Sequence, residues 1–358
     1  MELTVVIPSL NPDEKLLRVV SALRGAGYED IILVDDGSDE QHKESFIKAR
    51  EEYGCTVLLH EVNRGKGRAL KTAFAYYLES GRSTAGIITV DGDNQHQIED
   101  IVACEKELIA KGGNSIILGC RDFTLPDVPP KSRFGNKTTS FVFRYFCGLK
   151  ISDTQTGLRA IPRKYIPVLL KTSGERFEYE TNMLLEMKQC SIPFTEVKIK
   201  TVYINENETT HFNPIVDSIK IYAVILKFMF SSVASFLLDN GLFALFFYVL
   251  FAPIGGKLCT VLSNVSARVF SSLFNYTLNR KTVFKSDTAV KETLGKYYLL
   301  AAVVLGLSTG LLLLFTQLFG EHYASLLKIV VDTLLYVLSF RVQHNWVFKK
   351  KIAGSENE

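Results

Sequence analysis

None of the six cysteines, at positions 55, 104, 120, 147, 190 and 259, forms a C-x-x-C pair. That removes zinc-ribbon and thiol-redox readings and leaves buried thiols of a reducing compartment. Net charge is nearly absent: 41 Lys and Arg stand against 38 Asp and Glu. No basic footprint therefore points to nucleic acid. Both common nucleotide loops are missing, because Arg64-Gly65-Lys66-Gly67-Arg68 fits neither the phosphate-loop spacing nor the dinucleotide fingerprint. ATPase and dehydrogenase readings lose their support. The first residues, Leu3-Thr4-Val5-Val6-Ile7, are strand-like and have no basic n-region or cleavage site, so no signal peptide is expected.

The most telling lack is local. Residues 1–212 mix charged and apolar side chains as a globular domain does, whereas residues 228–348 hold long stretches almost free of charge. Across 228–256 the only charge is Asp239, across 258–279 it is Arg268, and 297–320 has none. A weaker stretch, 325–347, carries Lys328, Asp332 and Arg341. A helix crosses a bilayer core with roughly 20 apolar residues, so four transmembrane helices are expected. Arg280, Lys281, Lys285, Lys291 and Lys296 lie between the second and third, and Lys349, Lys350 and Lys351 follow the fourth. The positive-inside rule then puts both chain ends, the middle loop and the charge-mixed first half in the cytosol of a multi-pass membrane protein. Asp239, Arg268 and Asp332 within the spans read either as an internal ion pair or as lining for a lipid-phosphate path. Residues 214–226 carry Ile215, Ile219, Tyr222, Ala223 and Leu226 at helical spacing. They fit an amphipathic helix on the membrane surface or an ordinary linker helix. The expected organisation is a globular domain over 1–212, a linker over 213–226, a four-helix membrane domain over 227–350 and a tail over 351–358.

The first 120 residues alternate strands and helices. Strands are expected at 3–7, 31–34, 56–59, 86–90 and 115–118, with a helix start at Asn11-Pro12-Asp13-Glu14 (Asn as cap, Pro first) and a helix over 67–78. This is an α/β pattern with a mostly parallel, Rossmann-like sheet, and ligands of such sheets sit outside the carboxyl ends of the strands. Three of those ends carry Pro8-Ser9, Asp35-Asp36 and Asp91-Gly92-Asp93. Two carboxylates flanking a small residue can hold a hard divalent ion, with Gln95 as a further oxygen ligand and His96 as a hydrogen-bond partner. Acidic residues in Glu175-Arg176-Phe177-Glu178-Tyr179-Glu180 read as a helix start favouring the helix dipole.

Pro8-Ser9-Leu10-Asn11, Val34-Asp35-Asp36-Gly37-Ser38, Asn63-Arg64-Gly65-Lys66-Gly67, Asp91-Gly92-Asp93-Asn94-Gln95-His96, Gly119-Cys120-Arg121 and Asp153-Thr154-Gln155-Thr156-Gly157-Leu158-Arg159 occur in this order. Together they resemble the successive motifs of family 2 glycosyltransferases, within them the dolichol-phosphate mannosyltransferase and polyprenyl-phosphate glycosyltransferase group. The membrane half has a short internal repeat, Asn279-Arg280-Lys281-Thr282-Val283-Phe284 against Gln343-His344-Asn345-Trp346-Val347-Phe348, with Lys227-Phe228 and Lys296-Tyr297 opening the two pairs. It resembles the GtrA-like membrane domains.

The resemblance implies a GT-A fold and assigns roles by position. Pro8, Asn11, Asp35 and Asp36 would contact the nucleotide, and Lys66 would lie near the donor. Asp91, Gly92, Asp93 and Gln95 would hold Mg2+ or Mn2+ and the diphosphate. Arg121 and Arg133 would take the acceptor phosphate, which suits a bidentate guanidinium. Asp153 and Gln155 would line the sugar pocket. The sequence departs from the family at Pro12, where Glu is usual, and at Glu208-Thr209-Thr210-His211-Phe212, where a Gly-Glu-Ser-Lys loop is common and His211 would replace the lysine. The implied activity is inverting, metal-dependent transfer of a hexose from UDP-glucose or GDP-mannose to a membrane polyprenyl phosphate. Rival readings are a lipid-linked sugar transporter and a polysaccharide synthase, though the Q-x-x-R-W motif of processive synthases is missing.

Overall fold

The computed structural model describes residues 1–126, 128–200, 214–254, 256–284, 286, 288–319 and 324–349. It divides into two compact units, Met1–Arg144 with Leu149–Ile221, and Tyr145–Gly148 with Tyr222–Glu358.

The first unit is built on a seven-stranded sheet in the order β3-β2-β1-β4-β6-β5-β7. The strands are β1 Leu3–Ser9, β2 Ile31–Asp35, β3 Thr56–Leu59, β4 Gly86–Thr89, β5 Ile116–Arg121, β6 Arg159–Pro162 and β7 Phe194–Ile199. All pair in parallel except β6, which lies antiparallel between β4 and β5. Residues 31–35, 86–89 and 3–7 are buried throughout. They therefore read as continuous apolar runs rather than alternating ones, as central strands covered on both faces do. Helices α1 Lys15–Gly25, α2 Lys43–Glu51, α3 Lys66–Glu79, α4 Ile98–Ala110, α5 Pro130–Val142, α6 Ile166–Leu170 and α7 Glu178–Gln189 complete the unit. One core cluster joins Val5 and Ile7 of β1, Leu33 of β2 and Ile88 of β4 to Leu16, Val20 and Leu23 of α1 and to Ile101 and Leu108 of α4. The fold is the expected α/β, GT-A-type sheet. All six cysteines are buried thiols.

Two sequence expectations change. Helix α1 begins at Lys15, not at Pro12, and Asn11 does not cap it. Asn11 instead takes the left-handed conformation (φ 49°), and its side chain is turned toward the β2 loop. Strands β6 and β7 escape the sequence reading. β6 is four residues long, begins with an arginine and ends with a proline. Both features argue against an interior strand, yet Arg159 is fully buried there.

The second unit is helical: α8 Pro214–Leu245, whose residues 214–221 fall in the first unit, α9 Gly256–Leu278, α10 Val290–Phe319 and α11 Ala324–Val342. Residues 214–226 form the first turns of α8 and not a separate element. Among the described residues, Leu226–Leu250 is the one stretch long and apolar enough by composition to cross a membrane. Its Phe230, Phe236 and Leu237 are each at least 64% exposed. A belt of bare aromatic and aliphatic groups of this size calls for an apolar solvent.

Inside the bundle a polar seam ties the helices. Asp239 pairs with Arg268 at 3.3 Å and accepts a 2.6 Å hydrogen bond from Ser271. Asn275, one turn further on, donates to Ser235 at 3.0 Å and accepts from Tyr297 at 2.9 Å. Asn279, another turn on, donates to Gln343 at 3.0 Å. The spacing of 271, 275 and 279 puts these groups on one face of α9, where amides and hydroxyls hold transmembrane helices together. The repeat seen in the sequence has one structural task in both copies. Each copy is a π-helical turn, Asn279–Val283 and Gln343–Val347, and the phenylalanines that end them, Phe284 and Phe348, stack at 5.1 Å. The side chain of Asp332 lies outside the described residues.

Candidate active site

Register brings the polar strand ends together. Ser9 of β1 faces Asp35 of β2, and Val6 faces Thr89 of β4. Asp35, Asp91 and the end of β5 at Arg121 therefore emerge on one edge of the sheet, the carboxyl edge where such sheets bind ligands.

The β1 and β2 ends form a closed loop system. Asp35 accepts from the Ser38 amide at 2.8 Å, and the Ser38 hydroxyl accepts from the Asn11 amide at 2.8 Å. The Asn11 side-chain oxygen Oδ1 accepts from the Asp39 amide at 2.8 Å. Asn11 and Asp35 thus shape the rim beside Pro8. Asp36 does something different. Its carboxylate is buried and accepts from the Arg64 amide at 3.0 Å and the Gly65 amide at 2.7 Å, with His60 Nδ1 at 2.7 Å. His60 Nε2 in turn lies 2.9 Å from Thr72 of α3. The structure therefore puts Asp36 in the role of holding the loop that carries Lys66. His60 carries no sequence signal of this task.

Lys66 opens α3 directly after Gly65, whose φ of 99° suits glycine and whose missing Cβ lets Glu175 O approach. Its ammonium bridges two carboxylates, Asp91 Oδ1 at 2.7 Å and Glu180 Oε1 at 3.0 Å. Burial works against the charge of Lys66, but Asp91 and Glu180 more than offset this and hold its pKa above the ordinary value. Burial likewise opposes ionisation of Asp91, and Lys66 and His96 overcome it, so Asp91 stays ionised well below the usual carboxylate range. His96 Nε2 stands 3.6 Å from Asp91 Oδ2. Gly157 lies against the same carboxylate, and a Cβ there would collide with it. Gly92 packs against Ser9 and Leu16.

Asp93, two residues on, has the opposite shift. Burial first, and then the charge of Asp91, raise its pKa. Its Oδ1 accepts from the Gln95 amide at 3.0 Å. Among the described residues no three His, Cys, Asp or Glu groups converge as metal ligands. The donor set fits a hard divalent cation that takes a few oxygen ligands from the protein and the rest from phosphate oxygens and water. Two partly desolvated carboxylates, one pushing up the other, are the arrangement such a cation would relieve.

A second cluster lies at the end of β5. Asp153 is fully buried and grips Arg121 in a bidentate pair, Nε to Oδ2 at 2.7 Å and Nη2 to Oδ1 at 3.0 Å. It also accepts from the Arg121 and Gln155 amides, at 3.2 and 3.0 Å. Asp153 therefore orients Arg121. Arg133 stands exposed on α5 and donates to Leu125 O at 2.7 Å. His211 lies outside the described residues. Between the two clusters sits Arg159, which donates to Thr156 O at 3.0 Å and Glu180 O at 2.8 Å and whose buried Nη2 has no hydrogen-bond partner among the described residues.

Sequence reasoning missed Glu180 as a site residue. Its acidic segment reads as a solvated helix start, but Glu180 faces inward, 10% exposed, onto Lys66. Arg159 and Gly157 stand in the Asp153–Arg159 motif, but only the fold shows what they touch.

Residues 4–169 match the family described as glycosyl transferase family 2, and residues 227–348 match GtrA/DPMS, transmembrane domain. An uncharacterized protein of Methanocaldococcus jannaschii is 29% identical over 64% of this chain and 93% of its own. The UDP-N-acetylglucosamine–dolichyl-phosphate N-acetylglucosaminyltransferase of Methanococcus voltae is 28% identical, covering 56% of this chain and 85% of its own. The human dolichyl-phosphate beta-glucosyltransferase is 24% identical over 59% and 70%. The chain thus carries a family 2 glycosyltransferase domain followed by a GtrA/DPMS transmembrane domain.

Proposed function

We propose that this enzyme moves a hexose, glucose or mannose, from UDP-glucose or GDP-mannose to a polyprenyl phosphate in the membrane. The product is a polyprenyl-phosphate sugar with inverted anomeric configuration, a donor for cell-envelope glycosylation. The observation that carries this reading is the carboxyl-edge cluster of Asp91, Asp93 and Lys66 in a chain that also carries a transmembrane domain. The relatives support the acceptor class, since their names specify dolichyl phosphate.

The chemistry follows from the residues. A phosphate monoester has its second pKa at about 6, so the acceptor is already an anionic nucleophile at neutral pH and needs no strong base. Catalysis then rests on positioning and charge stabilisation. Pro8, Asn11 and Asp35 form the nucleotide rim, with Asp36 holding the Lys66 loop behind it. Asp91 and Asp93, with Gln95, would hold Mg2+ or Mn2+, which supplies charge neutralisation of the leaving diphosphate. Lys66 adds a second positive charge on that side, and His211 a third contact with the donor. Arg121, aimed by Asp153, and Arg133 orient the attacking phosphate, while Asp153 and Gln155 bound the sugar. Four membrane passes, with the catalytic domain and both termini in the cytosol, agree with the charge of the 280–296 segment and the tail.

The test is product formation by the purified full chain in detergent. The assay contains Mn2+, a short-chain polyprenyl phosphate and a panel of UDP-glucose, GDP-mannose and UDP-N-acetylglucosamine. Transfer from one hexose donor, abolished in Asp91→Asn, is expected. Nucleotide-sugar hydrolysis without lipid product, or turnover unchanged in Asp91→Asn, would overturn the reading.

A further inference from the structure

Lys66 occupies the ligand atom that a cation needs. Its ammonium lies 2.7 Å from Asp91 Oδ1. The other oxygen of the same carboxylate is flanked by His96 at 3.6 Å and by the Gly157 backbone. A divalent ion and an ammonium sharing one carboxylate oxygen would stand within a few ångströms of each other in a partly dry site, where like charges repel far more than in water. The cation and the ammonium therefore compete for Asp91. Glu180 offers the lysine a second anchor 3.0 Å away. It is fixed from behind, because its backbone carbonyl accepts from buried Arg159 at 2.8 Å. The lysine stem is long and flexible, so it can pivot off Asp91 without leaving Glu180. The loop below it cannot follow, since Gly65 packs on Glu175 and Arg176, and Asp36 holds the Arg64 and Gly65 amides.

We propose that Lys66 is the resident counter-ion of Asp91 when no donor is bound, that a divalent cation displaces it, and that Glu180 is the positioning residue that keeps the displaced ammonium beside the site. The proposal rests on the metal-dependent reading above. It has two consequences. The site is charge-balanced before the donor arrives, so free cation binds weakly. Once cation and diphosphate enter together, Lys66 is already within reach of the diphosphate, and its charge moves from one anion to another at little cost.

The test is Mn2+ binding to the full chain in detergent, followed by the electron paramagnetic resonance of free Mn2+, with and without donor. Without donor, Lys66→Met is expected to bind Mn2+ at least about tenfold more tightly than wild type, since a cation in contact with a ligand carboxylate is gone. Lys66→Gln is a second neutral variant and should do the same. Lys66→Arg should keep the weak wild-type affinity. Glu180→Gln should bind more weakly still, because Lys66 then has Asp91 alone. A lysine that merely props up the loop gives the opposite sign: its loss loosens the site and weakens Mn2+. Unchanged or weaker binding in both neutral variants, with far-UV circular dichroism intact, overturns the displacement. The underlying reading fails separately. If no Mn2+ binds with any donor nucleotide, or if binding is the same in Asp91→Asn, the metal assignment itself is lost. If Asp91-dependent binding stands but the neutral variants do not tighten it, only the displacement is refuted.

Discussion

Replacing Arg121 by Ala should destabilise the catalytic unit by an amount set by what it leaves behind. Asp153 is fully buried and loses two charge-assisted hydrogen bonds, of 2.7 and 3.0 Å. Among the described residues it keeps two backbone donors, the amides of residues 121 and 155. Removing one partner of a buried ion pair costs about 3–5 kcal/mol. The Arg121 side chain is 23% exposed, so water shares part of its charge and the lower end, about 3 kcal/mol, applies. For a domain of this size that lowers Tm by about 6–12 °C. Removing both groups, as in Arg121→Ala with Asp153→Ala, should cost clearly less than the sum of the two single changes, because no charge is then stranded. The assay is thermal unfolding of the full chain followed by near-UV circular dichroism of the tyrosines. The lone tryptophan, Trp346, lies in the helical unit and reports separately whether that unit melts with the first. A Tm loss below about 2 °C for Arg121→Ala, or strict additivity in the double variant, would refute the claim that Asp153 depends on this pair.

Gly157→Ala places a methyl group against the Asp91 carboxylate, and turnover should fall about 100-fold while the fold persists, the penalty typical of an ångström-scale misplacement; steady-state kinetics beside circular dichroism checks it. Asp36→Ala strands the Arg64 and Gly65 amides and His60, so urea unfolding should show a loss of about 3 kcal/mol, and the KM for donor should rise as the Lys66 loop loosens. Cys104 is buried and its pKa is pushed up to about 12, by burial first and then by Asp100. Only about one molecule in ten thousand carries its thiolate at pH 8, so iodoacetamide should leave it unlabelled in the native chain, with labelling rising as pH rises or as urea unfolds it, as peptide mass spectrometry would show. Asp239→Asn should weaken the helical unit through its lost contacts to Arg268 and Ser271, seen as an earlier Trp346 fluorescence transition, without changing the KM for nucleotide sugar.

The sequence is most readable where one physical signal acts alone. The central strands are continuous apolar runs, and each ends in its polar group, so β1, β2 and β4 and their carboxylates follow from hydrophobicity and turn residues. β6 is illegible for the opposite reason. Its arginine is buried by tertiary contacts with Thr156 and Glu180, and no local pattern encodes a partner 21 residues away. Glu180 fails in the same way: as one acid among several at a helix start it looks solvated, and only the distance to Lys66 tells it apart. Asn11 is an instructive error. An Asn-Pro pair before an apolar run is a sound helix-start signal, but Asn also tolerates positive φ, and here the hydrogen bonds to Asp39 win. In the helical unit, length and charge indicated membrane helices and the sequence reading included the Asp239–Arg268 ion pair, while Ser271, Asn275 and Asn279 along α9 read as neutral filler.

The site residues make most sense as a chain of charges. Lys66 neutralises Asp91 and Glu180 from one side, and Arg121 neutralises Asp153 from the other. Arg159 stands between them, fully buried, with Glu180 and Asp153 as its main electrostatic partners. Burial depresses its pKa, and those carboxylates act to restore it. A guanidinium is costly to bury unless its neighbours are anionic, and carboxylates are costly to bury unless a cation is near. Each group is tolerable only because the others are present. A site of this kind cannot be assembled one residue at a time, which is why the motif 153–159 and the helix start at 178–180 have to be read together. It also explains why Asp93 stands out. The cations Lys66, Arg121 and Arg159 face the anions Asp91, Glu180 and Asp153, and that set is balanced without Asp93. Asp93 is the carboxylate left over, and burial first, then the charge of Asp91, raises its pKa. Among the described residues no cation forms an ion pair with Asp93, and under the metal-dependent reading proposed above the balancing positive charge would come in with the donor.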